Sequence, residues 1–195
     1  GDGVMYVEPG PIAPPLDPSL PYNSYTSAST DFNTPAVLNF SITQLLTKKW
    51  SIHSTIQYTF WNTFKKMVIS TPEGYAKKTT INYDWHNSWF VALGANYRLL
   101  PSLSIKSGIS FDQTPTSNSF RDVRIPDSSR LALAFGVSYD LLENFRLDAS
   151  YEHMFVINAG IHTTQHIGDG KEKNTVSASY SGSADIISLG ISYKF

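Results

Sequence analysis

The feature that most constrains this fold is an alternation of large apolar residues with small or polar ones, which recurs after Pro35. In the closing stretch IISLGISYKF, residues 186–195, every second residue from Ile187 to Phe195 is large and apolar. The residues between them are serine, glycine and lysine. Successive side chains of a strand point to opposite faces of a sheet, so a period of two predicts β-strands with one apolar face.

Seven such runs are present, and they are long for strands. They cover about 36–46, 49–69, 78–99, 102–113, 129–140, 144–158 and 175–195. Strands of a soluble sandwich average about 5–6 residues, whereas a tilted strand needs about 9–11 to cross a membrane. The second face carries Gly, Ser, Thr, Asn and charged residues, as a polar barrel interior requires. We therefore predict an all-β fold, a transmembrane antiparallel β-barrel of the outer membrane, rather than a soluble sandwich.

The connections and the aromatic residues agree with a barrel. Runs one and two, three and four, and five and six are joined by the short segments LLTKKW, LLPS and LLEN. The intervening connections are long, as expected if short turns are periplasmic and long loops extracellular. Tryptophan and tyrosine prefer the membrane interface. They lie near run ends at Trp50, Trp61, Trp89, Tyr97, Tyr139 and Tyr193.

Composition excludes several classes of function. The formal net charge of -1 gives no nucleic-acid footprint, so no nucleic-acid partner is expected. Charged residues make up only 16% of the chain, against about 25% in soluble domains. The absence of cysteine rules out disulfides and thiolate metal sites.

Residues 1–34 have the composition of a loop. Six prolines lie between Pro9 and Pro21, and proline blocks both helices and strand ladders. Seven strands are an odd number, whereas single-chain bacterial barrels normally have an even one. We therefore expect 1–34 to be the remainder of an extracellular loop and 35–195 to be the last seven strands of a longer barrel. The missing N-terminal half is an expected partner, because seven strands alone leave two unpaired edges.

Two stretches of the chain resemble the FadL family of transporters for long-chain fatty acids and hydrophobic compounds. The first is NYDWHNSWFVALGANYRLLPSLSIKSGISFDQTPT, and the second is RIPDSSRLALAFGVSYDLLENFRLDASYEHMF. The resemblance covers roughly 35–195. It implies a 14-stranded barrel plugged by an N-terminal hatch, with capture of substrate at the extracellular loops and sideways release into the membrane.

Transport of this kind needs an apolar inner surface and a cation for a carboxylate headgroup, and it needs no cofactor, metal or catalytic residue. The candidate ligand-binding residues are of two kinds. Phe90 and Met154 are apolar residues on otherwise polar interior faces, although packing against a plug explains them equally well. Phe120, Arg121 and Arg124 lie in a loop that is both apolar and basic, although pairing with Asp122 or Asp127 is the alternative.

The end of the chain carries a second signal. Ile191, Tyr193 and the terminal Phe195 resemble the C-terminal motif that the barrel-assembly machinery recognises. Expected partners are therefore that machinery, outer-membrane lipid and a long-chain fatty acid or other hydrophobic ligand.

Two further patterns suggest chemistry and are interpreted structurally. His162 and His166 are four residues apart, a spacing that holds zinc on a helix, but neither a helix nor a third ligand is evident. Ser150, Glu152 and His153 suggest a hydrolase. Strand alternation places Ser150 inside and His153 outside, so they cannot form a nucleophile–base pair, and we predict that the protein is not an enzyme.

The leading hypothesis is passive uptake of long-chain fatty acids or other hydrophobic molecules across the outer membrane. The alternative is a general porin or a structural barrel without a specific ligand. Within the family, an aromatic-hydrocarbon substrate remains open.

Overall fold

A computed structural model of the chain describes residues 2–6, 25–30, 33–70, 79–123, 126–167 and 172–195. The described residues form antiparallel sheets and one turn of 3₁₀ helix at Trp61–Thr63. No helix in the described part of the chain has both the length and the apolar character to cross a membrane. The chain divides into two units: Gly1–Pro35 with Asn62–Trp85, and Ala36–Trp61 with His86–Phe195.

The described part of the chain contains eleven strands, joined by short turns and longer connections. In chain order they are β1 (Asp2–Tyr6), β2 (Tyr25–Thr30), β3 (Val37–Leu45), β4 (Trp50–Thr59), β5 (Lys66–Ser70), β6 (Thr79–Asn82), β7 (Ser88–Leu100), β8 (Leu103–Asp112), β9 (Arg130–Leu142), β10 (Phe145–Ile167) and β11 (Glu172–Tyr193). The larger unit contains a seven-stranded sheet in the order β11-β10-β9-β8-β7-β4-β3. The predicted all-β fold with seven antiparallel strands is confirmed.

The three predicted short connections are tight turns. Between β3 and β4 the Thr47 hydroxyl accepts hydrogen bonds from the backbone N–H groups of Lys49 (3.1 Å) and Trp50 (3.0 Å). Residues 101–102 and 143–144 make the other two turns. This edge of the sheet is called the short-turn end, and the opposite edge the long-loop end.

The bounds of several runs differ from the prediction. Run 49–69 is split, because β4 ends at Thr59 and β5 pairs with β2 and β6 in another sheet. Run 78–99 is split in the same way into β6 and β7. The segment 159–174 was expected to be a loop, yet β10 and β11 continue to Ile167 and from Glu172. Threonine and isoleucine in this segment favour strand, and its polar residues are compatible with a hairpin that lies in water.

Pairing across the seven strands gives the sheet two distinct faces. One row of directly opposite residues is Phe40, Ile56, Val91, Phe111, Leu131 and Phe155. The adjacent row is Ser41, Thr55, Ala92, Ser110, Ala132, Met154 and Ala184, and it points the other way. The first row belongs to what is called the outer face and the second to the inner face.

Aromatic pairs mark both borders of the outer face. Trp50 and Tyr97 pack with ring centroids 4.5 Å apart near the short-turn end, and Tyr58 and Trp89 do so at 4.5 Å near the long-loop end. Eight residues separate the two pairs along each strand. At about 3.4 Å per residue and a tilt of about 40°, this corresponds to a height of about 21 Å, close to the apolar band of an outer-membrane barrel.

The smaller unit contains a four-stranded antiparallel sheet in the order β1-β2-β5-β6. The prolines of 1–34 lie between β1 and β2, outside the described residues, so they do not interrupt either strand. Phe64 is buried and packs on Tyr83 and Trp85, with ring centroids 5.2 and 4.8 Å away. This aromatic cluster forms the described core of the smaller unit.

Candidate ligand-binding site

A cavity of about 330 Å³ lies on the inner face of the seven-stranded sheet, toward the long-loop end. A volume of this size is at the lower end of ordinary small-molecule sites. Five strands supply the lining, which is mostly small or apolar: His53, Thr55, Phe90, Ala92, Leu93, Gly94, Gly108, Ile109, Ser110, Ala132, Ala134 and Glu152.

Two glycines opposite each other keep the floor of the cavity open. Gly94 on β7 and Gly108 on β8 form a cross-strand pair. A Cβ added at Gly94 would lie 3.4 Å from the Ser107 carbonyl oxygen, and one at Gly108 would lie 3.5 Å from the Leu93 carbonyl oxygen. These are ordinary van der Waals contacts, so close packing does not require glycine here. The consequence of the missing side chains is free space above the floor.

Phe90 is placed as predicted, because its ring lines the cavity from β7. Met154 lies beside the cavity on the inner face, between Ala132 on β9 and Ala184 on β11. Its small neighbours leave apolar surface accessible on the inner face. The ligand-binding role of both residues stays a prediction.

Val156 and Ile186 are apolar residues of the inner face that the sequence analysis did not identify. Val156 pairs with Gly182, and Ile186 pairs with Glu152. Each belongs to a run of consecutive apolar residues, FVI at 155–157 and II at 186–187. Because adjacent strand residues face opposite ways, such a run must place one apolar side chain inside. That signal was present in the sequence.

A β-bulge extends this apolar surface along β10. The register shifts between Val156 and Ala159, so the even-numbered β10 residues face inward before the bulge and the odd-numbered ones after it. Ala159 and Ile161 thereby join the inner face, where both are buried. Sequence alternation alone assigns them to the other side, because a bulge has no period-two signature.

The inner face near the short-turn end is polar and internally paired. Asp148 lies 3.3 Å from the Lys106 amine and 3.3 Å from the Arg146 guanidinium, and it also accepts a hydrogen bond from the Ser138 hydroxyl. Nearer the long-loop end, Arg130 pairs with Asp112 at 2.6 Å. These cations already have carboxylate partners within the chain.

The loop between β8 and β9 holds the basic candidates. The Arg121 side chain is only 3% exposed and donates to the side-chain oxygen of Asn118 and to the carbonyl oxygens of Asp127 and Gly160. Burial lowers the pKa of Arg121, and the charge of Asp127 opposes that shift. Arg121 therefore joins two parts of the β8–β9 loop to each other and to β10.

Of the other two loop candidates, Phe120 is among the described residues and Arg124 is not. Phe120 is half-buried in a turn in which its N–H donates to the Ser117 carbonyl at 3.1 Å. Arg124 lies outside the described residues. Val123, next to them, is exposed. A role for Phe120, Arg121 and Arg124 in ligand binding remains a prediction.

The residues of the hydrolase hypothesis lie on opposite faces. Ser150 pairs with Gly136 and Ser188 on the inner face. His153 is on the outer face, where its Nδ1 lies 2.7 Å from the Asp185 carboxylate. Tyr151 donates to the same carboxylate at 2.6 Å.

The histidines of the zinc pattern lie on a strand. His162 lies on β10 with its Nδ1 2.9 Å from the Ser177 hydroxyl, and the side chain of His166 is outside the described part. Among the described side chains, no group of three or more potential metal ligands is found.

Ile191 and Tyr193 of the predicted assembly signal lie on the outer face of β11, and Phe195 follows the end of that strand. Ile191 pairs with Leu147, and Tyr193 pairs with Phe145. The rings of Tyr193 and Phe195 contact each other edge-on at 5.1 Å, and both are exposed. Because these aromatic side chains are exposed, another protein could contact them directly.

An antiparallel sheet with a lipid-type outer face and a partly apolar inner cavity defines the wall of an outer-membrane transport barrel. The chain belongs to the family described as outer membrane protein transport protein (OMPP1/FadL/TodX), whose model matches residues 6–195. The family is one of transport proteins of the outer membrane. This places the chain in the outer membrane of a Gram-negative bacterium.

The names of similar proteins refer to different transported compounds. The chain is 28% identical over 141 residues to the long-chain fatty acid transport protein of Escherichia coli O6:H1. The alignment covers 69% of this chain and 31% of that protein. It superposes on a Pseudomonas aeruginosa FadL homologue with a TM-score of 0.77 and 26% identity, covering 90% of this chain and 39% of that one. The fold is shared with the P. putida toluene transporter TodX. The two chains superpose with a TM-score of 0.62 and 14% identity, over 87% of this chain and 37% of that one. The chain thus spans well under half the length of these relatives.

Proposed function

We propose that the protein carries hydrophobic molecules passively across the outer membrane, long-chain fatty acids or other apolar compounds. The observation that carries this proposal is the cavity on the inner face, with its open floor at Gly94 and Gly108 and its aromatic wall at Phe90. A barrel interior that only passes water has no need of an apolar recess. The similarity to a fatty acid transport protein supports the same function.

The residues have separate roles in this proposal. Phe90 and Met154, with Val156 and Ile186, offer a ligand apolar surface that water leaves on binding, worth about 25 cal/mol per Å². Phe120, Arg121 and Arg124 belong to the proposed capture loop. There Phe120 and Arg124 would meet the ligand, and Arg121 would hold the loop in shape. A concentration gradient supplies the direction, so no cofactor is required.

Two further parts of the proposal concern assembly and the first residues. The barrel-assembly machinery would recognise Ile191, Tyr193 and Phe195, which is supported by their exposure on one face of β11. The segment 1–34 is proposed to be extracellular. Its strands β1 and β2 pair in the four-stranded sheet, separately from the seven-stranded sheet.

A general porin is the second candidate, and the polar half of the inner face favours it. Lysine, arginine and aspartate on that half would line a wet pore. The two functions differ in conductance, because a protein with a continuous water-filled pore passes ions steadily. Planar-bilayer recording of the full-length protein separates them: a large steady conductance would favour the porin.

The test of the proposed function is ligand binding by the full-length protein in detergent. The neutral fluorescent hydrophobe N-phenyl-1-naphthylamine is titrated and then displaced by oleate or by toluene. Saturable binding that either competitor displaces is the expected result. Fluorescence that rises without saturation and resists both competitors would contradict the proposal.

A further inference from the structure

Glu152 is the only carboxylate among the described residues that line the cavity, and no lysine or arginine lies with it there. It stands between Ala134 on β9 and Ile186 on β11. Within the described part of the chain its carboxylate has no ion pair, and the pairs that do form lie elsewhere. A carboxylate without an ion-pair partner is therefore present in a recess whose lining is otherwise mostly small or apolar.

The other residues of the lining and its surroundings do not offset this charge. His53, on the opposite side of the cavity, has Nδ1 3.0 Å from the Thr43 hydroxyl and Nε2 3.1 Å from the Ser51 hydroxyl. The nearby inner-face cation Lys106 is 3.3 Å from Asp148. Both ring nitrogens and the amine already have partners, so neither group is placed to neutralise an arriving anion.

A carboxylate headgroup would meet two obstacles in this recess. It would lose water to walls of alanine, glycine and phenylalanine, and burying a charge without a partner is costly. It would also approach a like charge at close range. At about 6 Å and an effective dielectric constant of about 40, between that of water and that of a protein surface, two unit charges repel strongly enough to weaken binding about tenfold. An uncharged ligand of the same length meets neither obstacle.

We infer that this cavity selects uncharged hydrophobic molecules and that Glu152 is the residue that disfavours carboxylates. The inference rests on the proposed function and narrows it. It identifies the ligand at this site as a neutral hydrocarbon, an ester, an alcohol or a protonated acid, and not as a fatty-acid anion.

A pair of ligands that differ only in charge tests the inference. The full-length protein in detergent is loaded with the neutral probe N-phenyl-1-naphthylamine and titrated with methyl dodecanoate or with dodecanoate at neutral pH. The ester is expected to displace the probe at a concentration about tenfold lower than the acid. This ratio is measured on the unmodified protein, so it does not depend on the folding of any variant.

The substitution Glu152→Gln then assigns the preference to this residue. It should raise the affinity for dodecanoate about tenfold and leave the affinity for methyl dodecanoate unchanged. Glu143→Gln is the matched control, because it removes the same charge from an exposed turn at the short-turn end. The control should leave the affinities for both ligands unchanged.

The outcomes separate the inference from the function beneath it. Equal displacement by acid and ester, or a preference that Glu152→Gln does not alter, overturns the inference and leaves hydrophobic uptake standing. Failure of both ligands and of the probe to bind overturns the proposed function, and the inference with it. A preference that Glu143→Gln abolishes equally would assign it to net charge and overturn the role of Glu152.

Discussion

The two faces of the seven-stranded sheet arise from one alternation, yet the outer face is much the more uniform of the two. Most outward side chains are large and apolar from the first strand to the last, with His153 and Asp185 as a polar pair among them. Leu189, four residues before the end of β11, is 83% exposed. The inner face changes along its length, from the paired charges around Asp148 to the open cavity around Gly94. The outer face has a single requirement, contact with lipid, whereas the inner face combines a polar half with an apolar one.

This difference shows where the function of such a chain is encoded. Any sufficiently apolar residue satisfies lipid, so the outer face specifies the fold and the membrane. On the inner face a few small residues create a recess, and ion pairs occupy the polar half beside it. The following substitutions test that division.

The largest effect is expected from a charge placed on the outer face. Leu189→Arg should lower the free energy of unfolding in lipid vesicles by about 2–4 kcal/mol, the cost of arginine near the bilayer midplane. Leu189 is four residues from both Tyr193 and Asp185, which places it near mid-height. Ser188→Arg, one residue away on the inner face, is the matched control and should cost far less. Equal costs at both positions would show that the faces are wrongly assigned.

A smaller effect is expected from removing the aromatic wall of the cavity. Phe90→Ala should weaken binding of a neutral hydrophobe about tenfold, because about 1–2 kcal/mol of apolar contact is lost. The measurement is displacement of a fluorescent hydrophobe from the full-length protein. Phe155→Ala removes an equal ring from the outer face and should leave the affinity unchanged. If the two variants bind alike, Phe90 does not contact the ligand.

The smallest effect is expected in the polar half. Asp148→Ala leaves Lys106 and Arg146 without their shared partner and should lower the free energy of unfolding by about 1 kcal/mol, since these groups are partly exposed. Urea unfolding in vesicles measures this, with the exposed turn variant Glu143→Ala as control. Ligand affinity should not change. A loss of affinity as large as that of Phe90→Ala would show that the polar half also binds ligand.

The strand arrangement could be predicted from the sequence because lipid contact leaves a strict period of two. The alternation around Leu93, Ile109 and Leu133 predicts strands and their outer face, and the pairing of these three residues agrees. Short segments such as LLEN predict the turns equally well. Phe90 and Met154 could be assigned to the inner face by the same rule.

The rest of the site could not be predicted, because it depends on pairing between strands. No periodicity places Gly94 opposite Gly108, and none reveals the bulge that turns Ala159 inward. Arg121 was predicted from its charge to bind a ligand, whereas its contacts depend on where Asn118 and Gly160 meet in the fold. The end of run 49–69 was missed because the apolar residues Met67, Val68 and Ile69 of β5 follow soon after β4, although β5 pairs in a different sheet.

The central claim is that the recess on the inner face is the hydrophobe-binding site. The most direct test is to fill it with the double substitution Gly94→Leu and Gly108→Leu, and to titrate the full-length protein with N-phenyl-1-naphthylamine. Gly190→Leu is the control, since Gly190 is also an inner-face glycine but lies opposite Asp148 in the polar half. Heat-modifiable migration checks that all variants fold. We predict that binding is abolished by the double substitution and retained in the control. Saturable binding of unchanged affinity in a folded double variant would contradict the account.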